Sequence, residues 1–336
     1  MFFRKKVGID LGTANSLVYV AGRGIVLNEP TVVAYAKEGK KILAVGEEAR
    51  EMIGRTPGSI VAARPMREGV IADFTTTSAM ITYFLKKALG GRVLWPELMI
   101  SIPGGSSQVE KRAVVAACKR AGAADVYLIE EPLAAAIGAK IPISQASGHM
   151  IVNIGGGTAE IAIISLGQLV SFKTVRVAGT KFDEAVLEHM RKKHNLVIGE
   201  RTSEDIKIRI GNAFVDGKEE APERLLEVKG RDFQTGLPKV MEVGEKSVHE
   251  SLQRPLKQIL EGIKEVLAQT PPELAADIVD KGIVLSGGSS LLTNFDKYIT
   301  YYTGVAAFVV DEPLFCVIRG IGMAIDNLDS FKDAIR

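Results

Sequence analysis

Gly8-Ile9-Asp10-Leu11-Gly12-Thr13 near the start of the chain and Ile151-Val152-Asn153-Ile154-Gly155-Gly156 near its middle are two versions of one phrase. Each is an apolar run ending in a short polar side chain, Asp10 or Asn153, followed by a glycine turn. The two polar positions lie 143 residues apart (10 to 153), too far for a solenoid unit. The same order of elements follows both phrases. Apolar runs bounded by glycine predict strands over 7–11, 16–21 and roughly 31–36, then over 149–154, 161–166 and 169–175. In the first half a helical pattern follows at 77–89, then a strand at 98–102. A helix opens at Ser107-Gln108-Val109-Glu110, whose Ser-x-x-Glu spacing is a capping box, and Gly122 closes it. A strand at 126–129 leads to Pro132, placed to open a helix over 133–139. The second half repeats this with helices over 182–194 and 252–267, a strand over 283–286, a helix over 291–302, a strand over 307–310 and a last helix from Pro313. Pro255 is expected to start or kink its helix and Pro271-Pro272 to end it. Two charged stretches, 33–74 and 181–244, interrupt the pattern and read as insertions, with a polar hairpin or loop at 230–239. The fold expected is α/β and duplicated, with strand–turn–strand elements from both halves lining one cleft.

Composition agrees with that class and removes others. The chain has 336 residues, 46% apolar and 24% charged, with a formal net charge of +2. These are globular proportions, and the balanced charge lacks the basic field of a nucleic-acid-binding protein. No apolar run approaches the ~20 residues of a membrane-spanning helix. The first residues, MFFRKKVGIDLG, carry no signal-peptide core. Cys118 and Cys316 are too few for a disulfide framework and read as small core residues. The four histidines show no metal-binding spacing. Glycine is in surplus: 34 residues, about 10% against a usual ~7%.

The placement of those glycines carries the chemistry. Asp10-Leu11-Gly12-Thr13-Ala14-Asn15 and Asn153-Ile154-Gly155-Gly156-Gly157-Thr158 each put a tight turn at a strand end. Glycine tolerates positive φ and lets consecutive N–H groups converge on a phosphate. Thr13, Asn15 and Thr158 add side-chain donors, and Asp10 suits a Mg²⁺ ion held through water, because Mg²⁺ keeps part of its hydration shell. No G-x-x-x-x-G-K-[ST] loop is present, and Gly22-Arg23-Gly24 and Gly320-Ile321-Gly322 lack a dinucleotide-binding context.

Five ordered motifs carry a family resemblance over residues 7–324. IDLGTANSLVYV resembles the first phosphate motif of the actin and heat-shock chaperone ATPase superfamily. LIEEPLAAAIG resembles its connecting helix, VNIGGGTAEIAII its second phosphate motif, IVLSGGSSLL its adenosine motif and DEPLFCVIRGIGMAI its second connecting helix. The wording of these, with NEPTVVAY and NLVIGERTSEDIKIRIGNA, is similar to the bacterial actins MreB and Mbl. The resemblance implies duplicated actin-like (ribonuclease-H-like) domains around a central nucleotide cleft. One core would comprise 1–32, 75–147 and 313–336, with 33–74 as its inserted subdomain. The other would comprise 148–180 and 245–312, with 181–244 inserted.

At matching positions the resemblance assigns Gly12, Thr13, Ala14 and Asn15 to one phosphate loop and Gly155, Gly156, Gly157 and Thr158 to the other. Gly287, Gly288 and Ser289 would lie against adenosine, and Glu204 and Lys207 would reach the nucleoside; a solvated helix pair is the alternative for the last two. Glu131 would orient the water that attacks the γ-phosphate, with Glu130 as its alternative. The cofactors implied are ATP or ADP and Mg²⁺. Two positions depart from the family pattern. Asn153 stands where Asp is usual and Ser289 where a third glycine is common. An amide carries no charge and cannot act as a base, so Asn153 is expected to slow hydrolysis.

Phe2, Phe3 and the basic Arg4-Lys5-Lys6, together with Leu94 and Trp95, set apolar tips beside cations and suit shallow insertion into anionic lipid. Filling satellite core clusters is the alternative for these aromatics. The resemblance further implies a slow ATPase that forms homopolymeric paired protofilaments. It would lie in the cytoplasm on the inner face of the membrane, organising cell-wall synthesis with cell-shape proteins and binding no nucleic acid. A binding-only scaffold, a small-molecule kinase on the same fold and a chaperone-type ATPase without its client domain are the rival readings.

Overall fold

The computed structural model describes residues 4–91, 95–215 and 222–334. Its frame is two five-stranded sheets of one topology. In the first, the order is Asp125–Glu130, Glu97–Ile102, Lys6–Leu11, Asn15–Val20, Gly24–Pro30. In the second, it is Ala307–Val309, Ile283–Ser286, His149–Ile154, Ala159–Ser165, Gln168–Val175. In each sheet the phrase-bearing strand is central, antiparallel to the next strand in sequence and parallel to the strand on its other side. The register also matches. Leu11 opposes Ser16 across a Gly12-Thr13-Ala14-Asn15 connection, and Ile154 opposes Ala159 across Gly155-Gly156-Gly157-Thr158.

The central strands are buried on both faces, which is why they read as continuous apolar runs. Val7, Ile9 and Leu11 pack outward with helices Phe74–Leu89 and Gln108–Arg120, while Val152 and Ile154 pack outward with Gly179–His194 and Glu245–Ala268. Between the sheets lies a shared cluster. Leu17, Met99 and Ile129 from the first sheet and Ile151, Ala162 and Ile164 from the second pack on Glu131–Gly138 and Cys316–Asp326. Those two helices cross on glycine. A Cβ on Gly138 would lie 1.8 Å from Cys316 O, and one on Gly320 would lie 1.8 Å from Ala134 O. Only glycine permits this approach.

The capping box at Ser107 and Glu110 forms as expected, and Pro132 sits in the first turn of its helix. Two three-stranded sheets depart from the frame: Ile42–Val45, Val33–Ala36, Ile60–Ala63, and Leu196–Val197, Leu225–Asp232, Pro238–Gly244. The second includes the expected polar hairpin. Three elements differ from the sequence expectation. The third strand of the first sheet is Gly24–Pro30, reached through a tight turn with Gly22 and Gly24 at φ 75° and 76°, whereas Val33–Ala36 belongs to a small sheet. Pro255 does not start its helix but is buried inside Glu245–Ala268. Pro272 opens a further helix, Pro272–Lys281, rather than marking only a stop. No helix among the described residues is long and apolar enough to cross a membrane.

Candidate nucleotide cleft

The parallel register at the two central strands brings a serine beside each phrase's polar residue. Ser101 Oγ donates to Asp10 Oδ1 at 2.9 Å, and Ser286 Oγ donates to Asn153 Oδ1 at 3.1 Å. Asp10 and Asn153 thus occupy equivalent places at the floor of one cleft of about 360 Å³. Lining it are Asp10, Gly12, Thr13, Ala14, Asn15, Glu131, Asn153, Gly155, Gly156, Gly157, Thr158, Glu204, Lys207, Gly287, Gly288 and Ser289. Every cleft residue expected from the sequence is therefore brought to one cavity. Of the adjacent acids at 130 and 131, Glu131 lines the cleft, because the strand ends at Glu130 and the helix begins at Glu131.

Three glycines of the phosphate turns, Gly12, Gly156 and Gly157, act by close approach. Gly12, Gly155, Gly156 and Gly157 all have ordinary φ, so the expected positive-φ nest is not what selects them. A Cβ on Gly156 would lie 2.5 Å from Ala14 Cβ, and one on Gly157 would lie 2.3 Å from Thr13 Oγ1. The turns from the two halves face each other at contact distance. Gly287 is the glycine of this set with positive φ, 83°, and a Cβ there would strike Ile154 O at 2.3 Å. Ser289 is a brace rather than a gap, since its Oγ donates to Gly155 O at 2.7 Å and ties the adenosine motif to the second turn.

Glu204 and Lys207 are half-buried, and each is paired with a residue other than its helical neighbour. Arg50 Nη2 lies 2.8 Å from Glu204 Oε2, joining helices Glu47–Glu51 and Glu200–Ile210 across the cleft. Lys207 Nζ lies 2.7 Å from Asp183 Oδ1. Burial pushes the Asp183 carboxyl up to about 6 against the opposing pull of Lys207.

Asp10 and Glu131 line the floor, and Glu160 stands outside the lining. Burial pushes Asp10 up to about 6, with the Ser101 hydrogen bond opposing it. Burial, then the charges of Glu160 and Asp10, push Glu131 well above the usual range. Burial also raises Glu160 to about 7, opposed by hydrogen bonds from Thr174, Gly104 and Thr158. A polyanion beside these acids requires a neutralising cation. The side-chain oxygens at the floor, the Asp10 carboxylate among them, are of the donor type that fits Mg²⁺. Glu160, Asp183, Arg50 and the cleft-lining Arg64 were not anticipated from the sequence. Glu160 alone had a readable signal: it is the one charge in the fully buried strand Ala159–Ser165.

Of the expected membrane residues, Phe2, Phe3 and Leu94 lie outside the described residues. Trp95 is 70% exposed, so it does not fill a core cluster. Arg4 pairs with Asp125 at 2.5 Å.

A duplicated α/β frame with paired glycine turns on one interdomain cleft defines an actin-like protein. A model of the MreB/Mbl protein family matches residues 4–333, and this chain belongs to that family of bacterial actins. It is 46% identical over 328 residues to the cell shape-determining protein Mbl of Bacillus subtilis (strain 168), covering 97% of each chain. Its fold is similar to that of MreB5 of Spiroplasma citri bound to ADP, with a TM-score of 0.92, 34% identity and coverage of 98% of this chain and 99% of that one. The same protein bound to AMPPNP gives a TM-score of 0.92 at 33% identity, covering 99% of each chain.

Proposed function

We propose that this chain binds ATP with Mg²⁺ between its two halves, hydrolyses it slowly and polymerises as a cell-shape filament. The observation that carries the reading is the facing pair of phosphate turns, Gly12–Asn15 and Gly155–Thr158, with Gly287 and Gly288 on the same cleft. Backbone N–H groups of the two turns would hold the phosphates, with Thr13, Asn15 and Thr158 adding donors. Glu204 and Lys207, which line the same cleft, would meet the nucleoside, and Arg50 shares Glu204. Bound Mg²⁺ would neutralise phosphate charge, held through water by Asp10. Glu131, a half-buried acid at a helix start, would orient the attacking water, since positioning and charge stabilisation dominate phosphoryl transfer. Asn153 keeps the shape of an aspartate but not its charge, which favours slow turnover and keeps a binding-only scaffold as the second reading. The ADP and AMPPNP complexes of the S. citri relative support the choice of nucleotide. Titration with a fluorescent ATP analogue tests the site. Saturable, ATP-competed binding is expected, and its absence at millimolar nucleotide would refute it.

The core and insertion boundaries given above, with 33–74 and 181–244 as subdomains, belong to the same proposal. So do paired protofilaments at the inner membrane face and cell-wall synthesis proteins as partners. The cell shape-determining relative favours this setting, and the exposure of Trp95 supports it. Filament avidity would multiply weak membrane contacts. Liposome co-sedimentation should fall when Phe2, Phe3, Leu94 and Trp95 are replaced; unchanged sedimentation would remove the membrane from the account.

A further inference from the structure

Glu160 is a buried carboxylate, 1% exposed, that does not line the cleft and has no part in the reading above. It belongs to the second half, on strand Ala159–Ser165, yet its partners include the backbone of the first. Gly104 N–H donates to Glu160 Oε2 at 3.0 Å. The Thr174 hydroxyl, also of the second half, lies 2.7 Å from Glu160 Oε2 and 2.8 Å from Gly104 O, sharing its proton between them. Both polar groups of the Gly104 peptide unit are therefore gripped by the opposite half. The other oxygen, Oε1, is buried without a well-aligned hydrogen-bond partner among the described residues.

The gripped turn, Pro103-Gly104-Gly105, packs near Pro132, which follows Glu131, and meets Thr158 through Gly69. A Cβ on Gly104 would lie 3.5 Å from Pro132 Cγ, the residue after Glu131. On its other side, a Cβ on Gly69 would lie 2.8 Å from Pro103 Cγ and 3.1 Å from Thr158 Cγ2. Phe172 closes the turn from the second half, 2.8 Å from where a Gly105 Cβ would stand. Glu131 comes from the first half and Thr158 from the second, so their separation depends on how the halves are joined here. A buried carboxylate with no cation beside it is costly, and its hydrogen bonds, those of the Gly104 clamp among them, offset part of that cost.

We propose that Glu160 is a positioning residue for hydrolysis, one that clamps the Gly104 turn across the domain joint and thereby fixes Glu131 against Thr158. The proposal rests on the ATPase reading above and deepens it. It requires an acceptor oxygen at position 160, not a charge. The test compares the chain as it stands with Glu160→Ala and Glu160→Gln, each also in an Asn153→Asp background so that turnover is measurable. Single-turnover phosphate release, affinity for a fluorescent ATP analogue and hydrogen exchange of the 103–105 amides are read together. In Glu160→Ala the release rate should fall about tenfold or more, since misplacing reacting groups by an ångström is enough for that. Affinity should stay within about twofold, the split that marks a loss confined to the transition state, and the Gly104 amide should lose protection. Glu160→Gln keeps the acceptor and should restore the rate to within about threefold and the protection with it. Equal losses of affinity and rate, no loss at all, or a Gln variant as slow as Ala would each overturn the proposal. Failure of the unmutated chain to bind nucleotide would instead sink the ATPase reading. If Glu160→Ala does not fold, Thr174→Val, which removes one arm of the clamp, carries the same prediction with a smaller fall; an unchanged rate there overturns it.

Discussion

Asp10 and Asn153 hold equivalent places, each accepting a hydrogen bond from a serine on the parallel strand beside it. They differ by one atom, a carboxylate oxygen in Asp10 against an amide nitrogen in Asn153, which removes a charge and replaces an acceptor with a donor. Asn153→Asp should raise single-turnover phosphate release with Mg²⁺ and ATP by about tenfold or more, as a placed charge in a low-dielectric site would. Equal rates would show that Asn153 does not limit turnover. The identity of the cleft residues was readable because polar side chains and glycines break apolar strands at matched offsets. The reason for the glycines was not readable. Gly156 and Gly157 are required by Ala14 and Thr13, residues more than 140 positions away, and sequence-local reasoning favoured positive φ instead. Arg50 and Asp183 escaped for the same reason, their partners Glu204 and Lys207 being brought to them only by folding.

At the scale of elements, the joint between Glu131–Gly138 and Cys316–Asp326 controls how the halves sit. Its glycines leave no room for a methyl group: the Cβ of Gly320→Ala would stand 1.8 Å from Ala134 O. Overpacking of this kind costs about 1–3 kcal/mol or more, so Gly320→Ala should lower the melting temperature by several degrees. A melt within a degree of the unmutated chain would show that the helices part easily. Strong periodicity and capping made most elements legible, and the capping box at Ser107 formed as written. The misread elements have separate causes. Gly24–Pro30 is a half-exposed edge strand with little apolar signal, and Pro272 serves as a first-turn residue, a place where proline is as welcome as it is after a helix end. Pro255 is tolerated inside a helix because the apolar stripe from Val248 to Val266 is buried throughout, and that packing outweighs one lost backbone hydrogen bond.

Taken whole, the molecule is two copies of one sheet joined by crossing helices, with a cleft between them whose walls are tied at three levels. The connecting helices join the base, Glu160 and Thr174 grip Gly104 beside the phosphate turns, and Arg50 meets Glu204 across the opening. A ligand bridging both walls favours the closed arrangement by its differential affinity for it. The glycine surplus and the duplication together announced this architecture, while the ties between its walls, made by residues distant in sequence, did not. The central claim is that nucleotide in this cleft governs assembly. Light scattering of the purified chain with Mg²⁺ and ATP, ADP or AMPPNP tests it most directly. Scattering should rise above a critical concentration with ATP and AMPPNP and remain lower with ADP. Scattering indifferent to nucleotide, or a chain that stays monomeric with all three, would contradict the account.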